Sequence, residues 1–161
     1  MSKGLILLDT SIMLEILQVP DKSKPGSSIP DEFNAMLGSN EYTLYLPIAT
    51  VIETGNHISQ IKRKGSALRH IIAQEFVSKV KMALDGTTPF KALEWEASEM
   101  ADWIVSFPDS AARGESFGDL SIIRQFNKLC QESPTQLPIK IWSGDNHLSS
   151  YRRNWVETSL F

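Results

Sequence analysis

The chain is expected to fold as an α/β domain with a central, mostly parallel sheet, and three features of the sequence point that way. Two short runs, Leu5-Ile6-Leu7-Leu8 and Ile139-Lys140-Ile141-Trp142, read as buried strands, and a near-continuous apolar run suits a parallel strand covered on both faces. Helical patterning fills much of the space between them, most cleanly at Ile122, Ile123, Phe126, Leu129 and Cys130, which follow the period of about 3.6 residues expected of an amphipathic helix. Finally, acidic residues stand at the junctions of apolar segments: Asp9, Glu53, Asp119 and Asp145. With 161 residues, 42% hydrophobic and 22% charged, the chain suits one well-cored domain over residues 1–161 and is short for two.

The elements follow in order. A first strand, about Gly4 to Asp9, leads through Thr10-Ser11 into a short helix with Ile12, Met13, Ile16 and Leu17 on one face. Val19 to Pro30 is rich in Pro, Ser and Gly and lacks periodicity, which predicts a mobile surface loop. Asp31 to Leu37 reads as a short helix ended by Gly38, and Tyr42 to Ile48 as the second strand. Thr50-Val51-Ile52-Glu53 has the capping-box pattern of a helix start, with helical signal to about Leu84 and a division near Gly65. Ala92 to Phe107 is a further expected helix, with Leu93, Ala97, Met100, Ala101 and Ile104 inward and Pro108 as its stop. A loop from Asp109 to Gly118 precedes the cleanest helix, in whose first turn Asp119 begins the inward stripe. A linker, Ser133 to Pro138, delivers the strand Ile139 to Trp142, Ser143-Gly144-Asp145-Asn146 forms a turn, and Trp155 to Leu160 could supply an edge strand.

Each acid has an ordinary structural reading: Asp9 as a helix cap, Glu53 as half of a capping box with Thr50, Asp119 as a first-turn acid, Asp145 as a turn residue. Taken together, the balance reverses. In open parallel sheets ligands bind beyond the carboxyl ends of the strands, where these four would converge. Two carboxylates about 5 Å apart repel by roughly 3 kcal/mol at an effective dielectric near 20, so a cluster of four must take up protons or cations. Oxygen ligands without His or Cys select Mg2+ or Mn2+ over zinc, and a pair of such ions can activate water and steady a phosphodiester.

At these residues the chain resembles a known family. Asp9-Thr10-Ser11 after the first strand, Thr50-x-x-Glu53 at a helix start, Gly118-Asp119 opening an amphipathic helix and Ser143-x-Asp145 after a late strand are similar to the four-acid pattern of PIN-domain ribonucleases, many of them VapC-type toxins of toxin–antitoxin pairs. The resemblance extends from about Leu5 to Leu148 and rests on the order and spacing of all four motifs. It implies a PIN-like three-layer α/β/α sandwich and endonucleolytic RNA cleavage dependent on Mg2+ or Mn2+. Asp9, Glu53, Asp119 and Asp145 would be the catalytic, metal-holding acids, with Ser11 and Ser143 as supporting hydroxyls. A small antitoxin protein and a homodimer are the partners it implies. The Val19 to Pro30 loop and the long helical region from Asn56 to Leu84 depart from the compact toxins. The rival reading is a catalytically inactive PIN-like binding or scaffold module.

The remaining features constrain function further. A net charge of −3 argues against coating nucleic acid by bulk charge, although two divalent ions on the acids would move −3 to +1. Lys62-Arg63-Lys64 and Arg113 are candidate RNA-phosphate contacts; the basic stretch has no interleaved aromatics, and its first reading is a solvated helix face. His57, His70 and His147 share no metal-ligand spacing, and the single cysteine, Cys130, excludes an internal disulfide and is expected to be buried. No Gly-rich phosphate loop or Gly-x-Ser-x-Gly elbow is present. Asp9 lacks the second Asp two residues on that a haloacid-dehalogenase-type phosphatase would require. No stretch approaches the roughly 20 apolar residues of a membrane span, and the N-terminal apolar run is too short for a signal-peptide core, so a cytoplasmic protein without a membrane partner is expected.

Overall fold

A computed structural model describes residues 2–63 and 65–157. Among them five strands form one sheet in the order β3-β2-β1-β4-β5: β1 (Gly4–Leu8), β2 (Tyr42–Pro47), β3 (Phe90–Leu93), β4 (Ile139–Trp142) and β5 (Arg152–Arg153). The pairs β1–β2, β2–β3 and β1–β4 are parallel, and β4–β5 is antiparallel. The helices are α1 (Thr10–Ile16), α2 (Ile29–Ser39), α3 (Ile48–Ser59), α4 (Gly65–Asp85), α5 (Ala97–Ala112), α6 (Phe117–Glu132) and α7 (Asn146–Ser149). The expected α/β architecture with a mostly parallel central sheet is the one observed, with helices on both faces.

All five residues of β1 are buried. Because side chains alternate across a strand, Ile6 and Leu8 join a core with Met13 of α1, Phe33 of α2 and Ile72 of α4. Leu5 and Leu7 face the opposite core with Ile122, Ile123 and Phe126 of α6 and Ile139 and Ile141 of β4. The outer strand pair is less symmetric. Lys140 and Trp142 are only half-buried, and the Lys140 ammonium lies 4.3 Å from the Trp155 ring centre, a cation–π contact.

Several boundaries differ from expectation. The helix expected from Ala92 is instead β3 followed by α5, and Pro108 lies inside α5 rather than ending it. Phe90 decides the strand: it is fully buried and packs edge-on against Phe33, with ring centres 5.2 Å apart. Pro108 removes one helical donor, the partner of the Ile104 carbonyl, and Ile104 is 57% exposed, so water can satisfy that group. The buried side of α5 accordingly carries Trp103 and Ser110, not Ile104. α2 continues through Gly38 and stops at Asn40, whose φ of 54° is left-handed. The break between α3 and α4 falls where Gly65 takes a φ of +62°, as the sequence suggests.

The expected edge strand at Trp155 to Leu160 also moves. The edge strand is β5, three residues earlier, and Asn154 with φ 53° turns the chain away after it; residues 158–160 lie outside the described residues. Trp155 packs instead on Tyr42. Arg153 donates to the carbonyls of Cys130, Pro134 and Leu137, which makes it a tie for the α6–β4 linker. Cys130 is half-buried against the α6 core rather than fully enclosed. The Val19–Pro30 stretch is irregular but anchored, since Val19 is fully buried and the Lys24 N–H donates to the Glu15 carboxylate at 3.0 and 3.1 Å. No helix among the described residues is long and apolar enough to cross a membrane.

Candidate metal centre

The chain leaves β1 toward one side of the sheet to form β2 and β3, then returns to the other side of β1 as β4. The carboxyl ends of β1 and β4 therefore flank a topological switch point, where a crevice opens in sheets of this kind. Asp9 follows β1 directly and Ser143 follows β4 directly. Their register, Leu8 opposite Trp142, brings the two segments side by side.

Asp9 is buried, and its position is the N-cap of α1, yet its side chain makes no capping bond. The Asp9 Oδ2 instead accepts from Ser11 Oγ at 2.9 Å and from Ser143 Oγ at 2.7 Å. Both expected supporting hydroxyls thus reach the same carboxylate oxygen. The Ser11 Oγ also accepts from the Gly144 N–H at 2.9 Å, and the Ser143 Oγ from the Asp145 N–H at 2.9 Å. These bonds tie the two strand ends together and leave Asp9 Oδ1 without such a partner among the described residues.

The capping box expected of Thr50 and Glu53 does not form. α3 starts at Ile48 with Pro47 as its N-cap, so both residues lie inside the helix and turn to tertiary partners. Thr50 is fully buried and its Oγ1 donates to the Leu8 carbonyl at 2.7 Å. Thr50→Val should leave that carbonyl unpaired and cost about 1–2 kcal/mol of stability, a loss read from urea denaturation. The half-buried Glu53 receives Thr10 Oγ1 at 2.9 Å on its Oε2. Thr10 is a supporting hydroxyl that sequence reasoning left unassigned, although its place directly after Asp9 was a signal.

Asp119 sits in the first turn of α6, where Ser116 is the N-cap and its Oγ accepts from the Asp119 N–H at 3.1 Å. Burial pushes the Asp119 carboxyl up to about 6, helped by the charges of Asp9, Glu53 and Asp145 and opposed by the Ser116 hydroxyl. Asp9, Glu53 and Asp145 are therefore all within electrostatic reach of Asp119. Gly118 lets the first turn of α6 seat against α3, because a Cβ there would stand 2.5 Å from Glu53 Oε1. Asp145 is exposed and keeps its structural role as well, accepting from the His147 N–H at 3.0 Å as the cap of α7.

The acids are near enough to repel and not gathered onto a single point: among the described residues no three His, Cys, Asp or Glu side chains form a ready metal cage. The Asp9 and Glu53 carboxylates are turned to hydroxyls and that of Asp145 to a backbone amide. As a donor set they are all oxygen, which suits Mg2+ or Mn2+, and the raised proton affinity of Asp119 marks a place where added positive charge is favoured.

Of the candidate RNA contacts, Lys62 and Arg63 follow α3 and Arg113 ends α5. About 9 Å of helix separates Glu53 from the end of α3, and Lys62 and Arg63 lie beyond it, with Arg63 paired to Asp21 at 3.2 Å. Lys64 lies outside the described residues. Arg113 is the C-cap of α5, where its charge complements the helix dipole, and it reaches Ser110 Oγ at 3.5 Å.

Comparison with family models and with curated proteins returned no match. Among solved structures, the chain is similar to the crystal structure of PAE2754 from Pyrobaculum aerophilum, with a TM-score of 0.54 and 16% sequence identity over 96% of this chain and 89% of that one. A likeness at that identity is one of fold.

Proposed function

We propose that the chain is a PIN-like, Mg2+- or Mn2+-dependent endoribonuclease acting in the cytoplasm, in which Asp9, Glu53, Asp119 and Asp145 hold the metal. The observation that carries this reading is the electrostatic coupling of Asp119 to three acids delivered by β1, α3 and the turn after β4. A scaffold alone gains nothing from such crowding, which costs stability. Ser11 and Ser143 would fix the Asp9 carboxylate, and Thr10 would fix Glu53, so that the remaining oxygens face the crevice. A bound divalent ion would supply a nucleophilic water and stabilise phosphate charge. The protein's part is to hold the carboxylates apart in the metal-free state and orient them on loading.

The toxin role, with a small antitoxin protein as partner and possible homodimerisation, belongs to the same reading. An antitoxin covering the acids would satisfy them with an Arg or Lys. The second reading, a PIN-like scaffold without catalysis, is favoured by Asp145 capping α7 and by the absence of a ready metal cage among the described residues. Manganese calorimetry on metal-free protein separates the two. Binding by the wild type, with affinity lost in Asp9→Asn, supports the nuclease and makes an RNA cleavage screen the next step. No binding at millimolar metal would favour the scaffold.

A further inference from the structure

Glu115 and His147 stand on the two segments that carry Asp119 and Asp145, and nothing in the proposed chemistry uses them. Glu115 immediately precedes the Ser116 N-cap of α6, and its side chain is only 9% exposed. His147 belongs to α7, and its Nε2 lies 3.1 Å from Glu115 Oε2. Against an ionised carboxylate, which can only accept, that ring nitrogen must be the donor. The other side of the imidazole is held too: its ring meets Tyr151 edge-on at 5.6 Å, and Tyr151 meets Phe126 at 5.9 Å. Phe126 lies on α6. The imidazole is thus bound to α6 at both ends, through Glu115 before the first turn and through Tyr151 to the helix body. Its own backbone N–H donates to Asp145 Oδ1.

We infer that the Glu115–His147 pair is a positioning latch that sets Asp145 against Asp119 by locking the β4–α7 turn to the start of α6. The metal half of its consequence rests on the reading above; the positional half does not. The latch works through geometry: with the ring pinned, the position of the His147 amide is fixed, and that amide aims Asp145.

The test uses the full chain with Glu115→Ala, His147→Ala, the double variant and Glu115→Gln, whose amide oxygen can still accept from the ring. Two quantities are read: hydrogen exchange of the amide at position 147 in metal-free protein by NMR, and Mn2+ affinity by calorimetry. The latch requires either alanine variant to speed that exchange and to weaken Mn2+ binding by about tenfold or more, the scale of a lost supporting partner. The double variant should be no worse than either single, and Glu115→Gln should behave like the wild type. Unchanged exchange, additive losses, or a Glu115→Gln as weak as Glu115→Ala would overturn the latch, the last because it would assign the effect to charge. Should Glu115→Ala fail to fold, His147→Ala at the more exposed partner decides on the same readouts. If exchange responds as required while the wild type binds no Mn2+, the latch stands and the nuclease reading falls; if Mn2+ binds and exchange does not respond, the reverse holds.

Discussion

Asp119→Asn is expected to move two properties in opposite directions. In metal-free protein near neutral pH it should raise stability, because the folded state holds this carboxyl at about 6 against the usual 3.8. Between those values the native protein binds more protons than the unfolded chain, so stability falls as pH rises through the window, and at pH 7 the ionised group is a net cost. For a half-buried carboxyl, after allowance for solvent screening, that cost is about 1–2 kcal/mol. The substitution gives up about 0.3–1 kcal/mol of helix-dipole stabilisation. A net gain near 1 kcal/mol, roughly 2–4 °C in a thermal melt, should remain. The gain should shrink toward pH 4, where the wild-type carboxyl takes up its proton. Mn2+ affinity should fall by at least the roughly 10–100-fold that loss of a supporting partner costs. A wild-type-to-variant difference that does not change between pH 4 and 7 would mean that neither burial nor the neighbouring acids raise the Asp119 carboxyl.

Gly118→Ala should separate site from stability in another way. The new Cβ would stand 2.5 Å from Glu53 Oε1, so the carboxylate must swing away and strain its bond from Thr10. The side chain is flexible enough to do this cheaply, and Ala is favoured over Gly inside a helix by up to about 1 kcal/mol. Stability should therefore change by less than about 1 kcal/mol while Mn2+ affinity drops about 10–100-fold. Equal affinity in the two proteins would remove Glu53 from the metal-holding set.

The parts of this architecture legible in the sequence are those set by local pattern. β1 and β4 are apolar runs, and α6 carries an unbroken stripe from Ile122 to Phe126 that packs where the period says it should. β3 was hidden because four residues, Phe90 to Leu93, are too few to distinguish alternation from a helical face. What reveals it is Phe33, far away in sequence. Pro108 was misleading for a related reason: whether a lost helical bond matters depends on exposure, which only the tertiary structure supplies. At the acids, positions were legible and partners were not. Thr50 and Glu53 have the spacing of a reciprocal cap, but α3 begins two residues before Thr50, and each finds its hydrogen bond across the sheet edge instead. The same limit hid the pairing of Glu115 with His147, which are 32 residues apart.

The placement of β4 against β1 also governs when the acids come together. Leu5 pairs with Ile139, a separation of 139 − 5 = 134 residues, so this contact closes one of the longest loops the chain can make. Contacts of that span form late and slowly. During synthesis, β1 emerges before β4 and waits, unpaired on one side, until the 134 residues that separate Leu5 from Ile139 have followed it out of the ribosome. On the proposed reading, a chain synthesised as far as α6 carries Asp9, Glu53 and Asp119 without the β1–β4 seam and without Asp145, so a nuclease built in this order stays inactive until β4 and the turn after it have emerged.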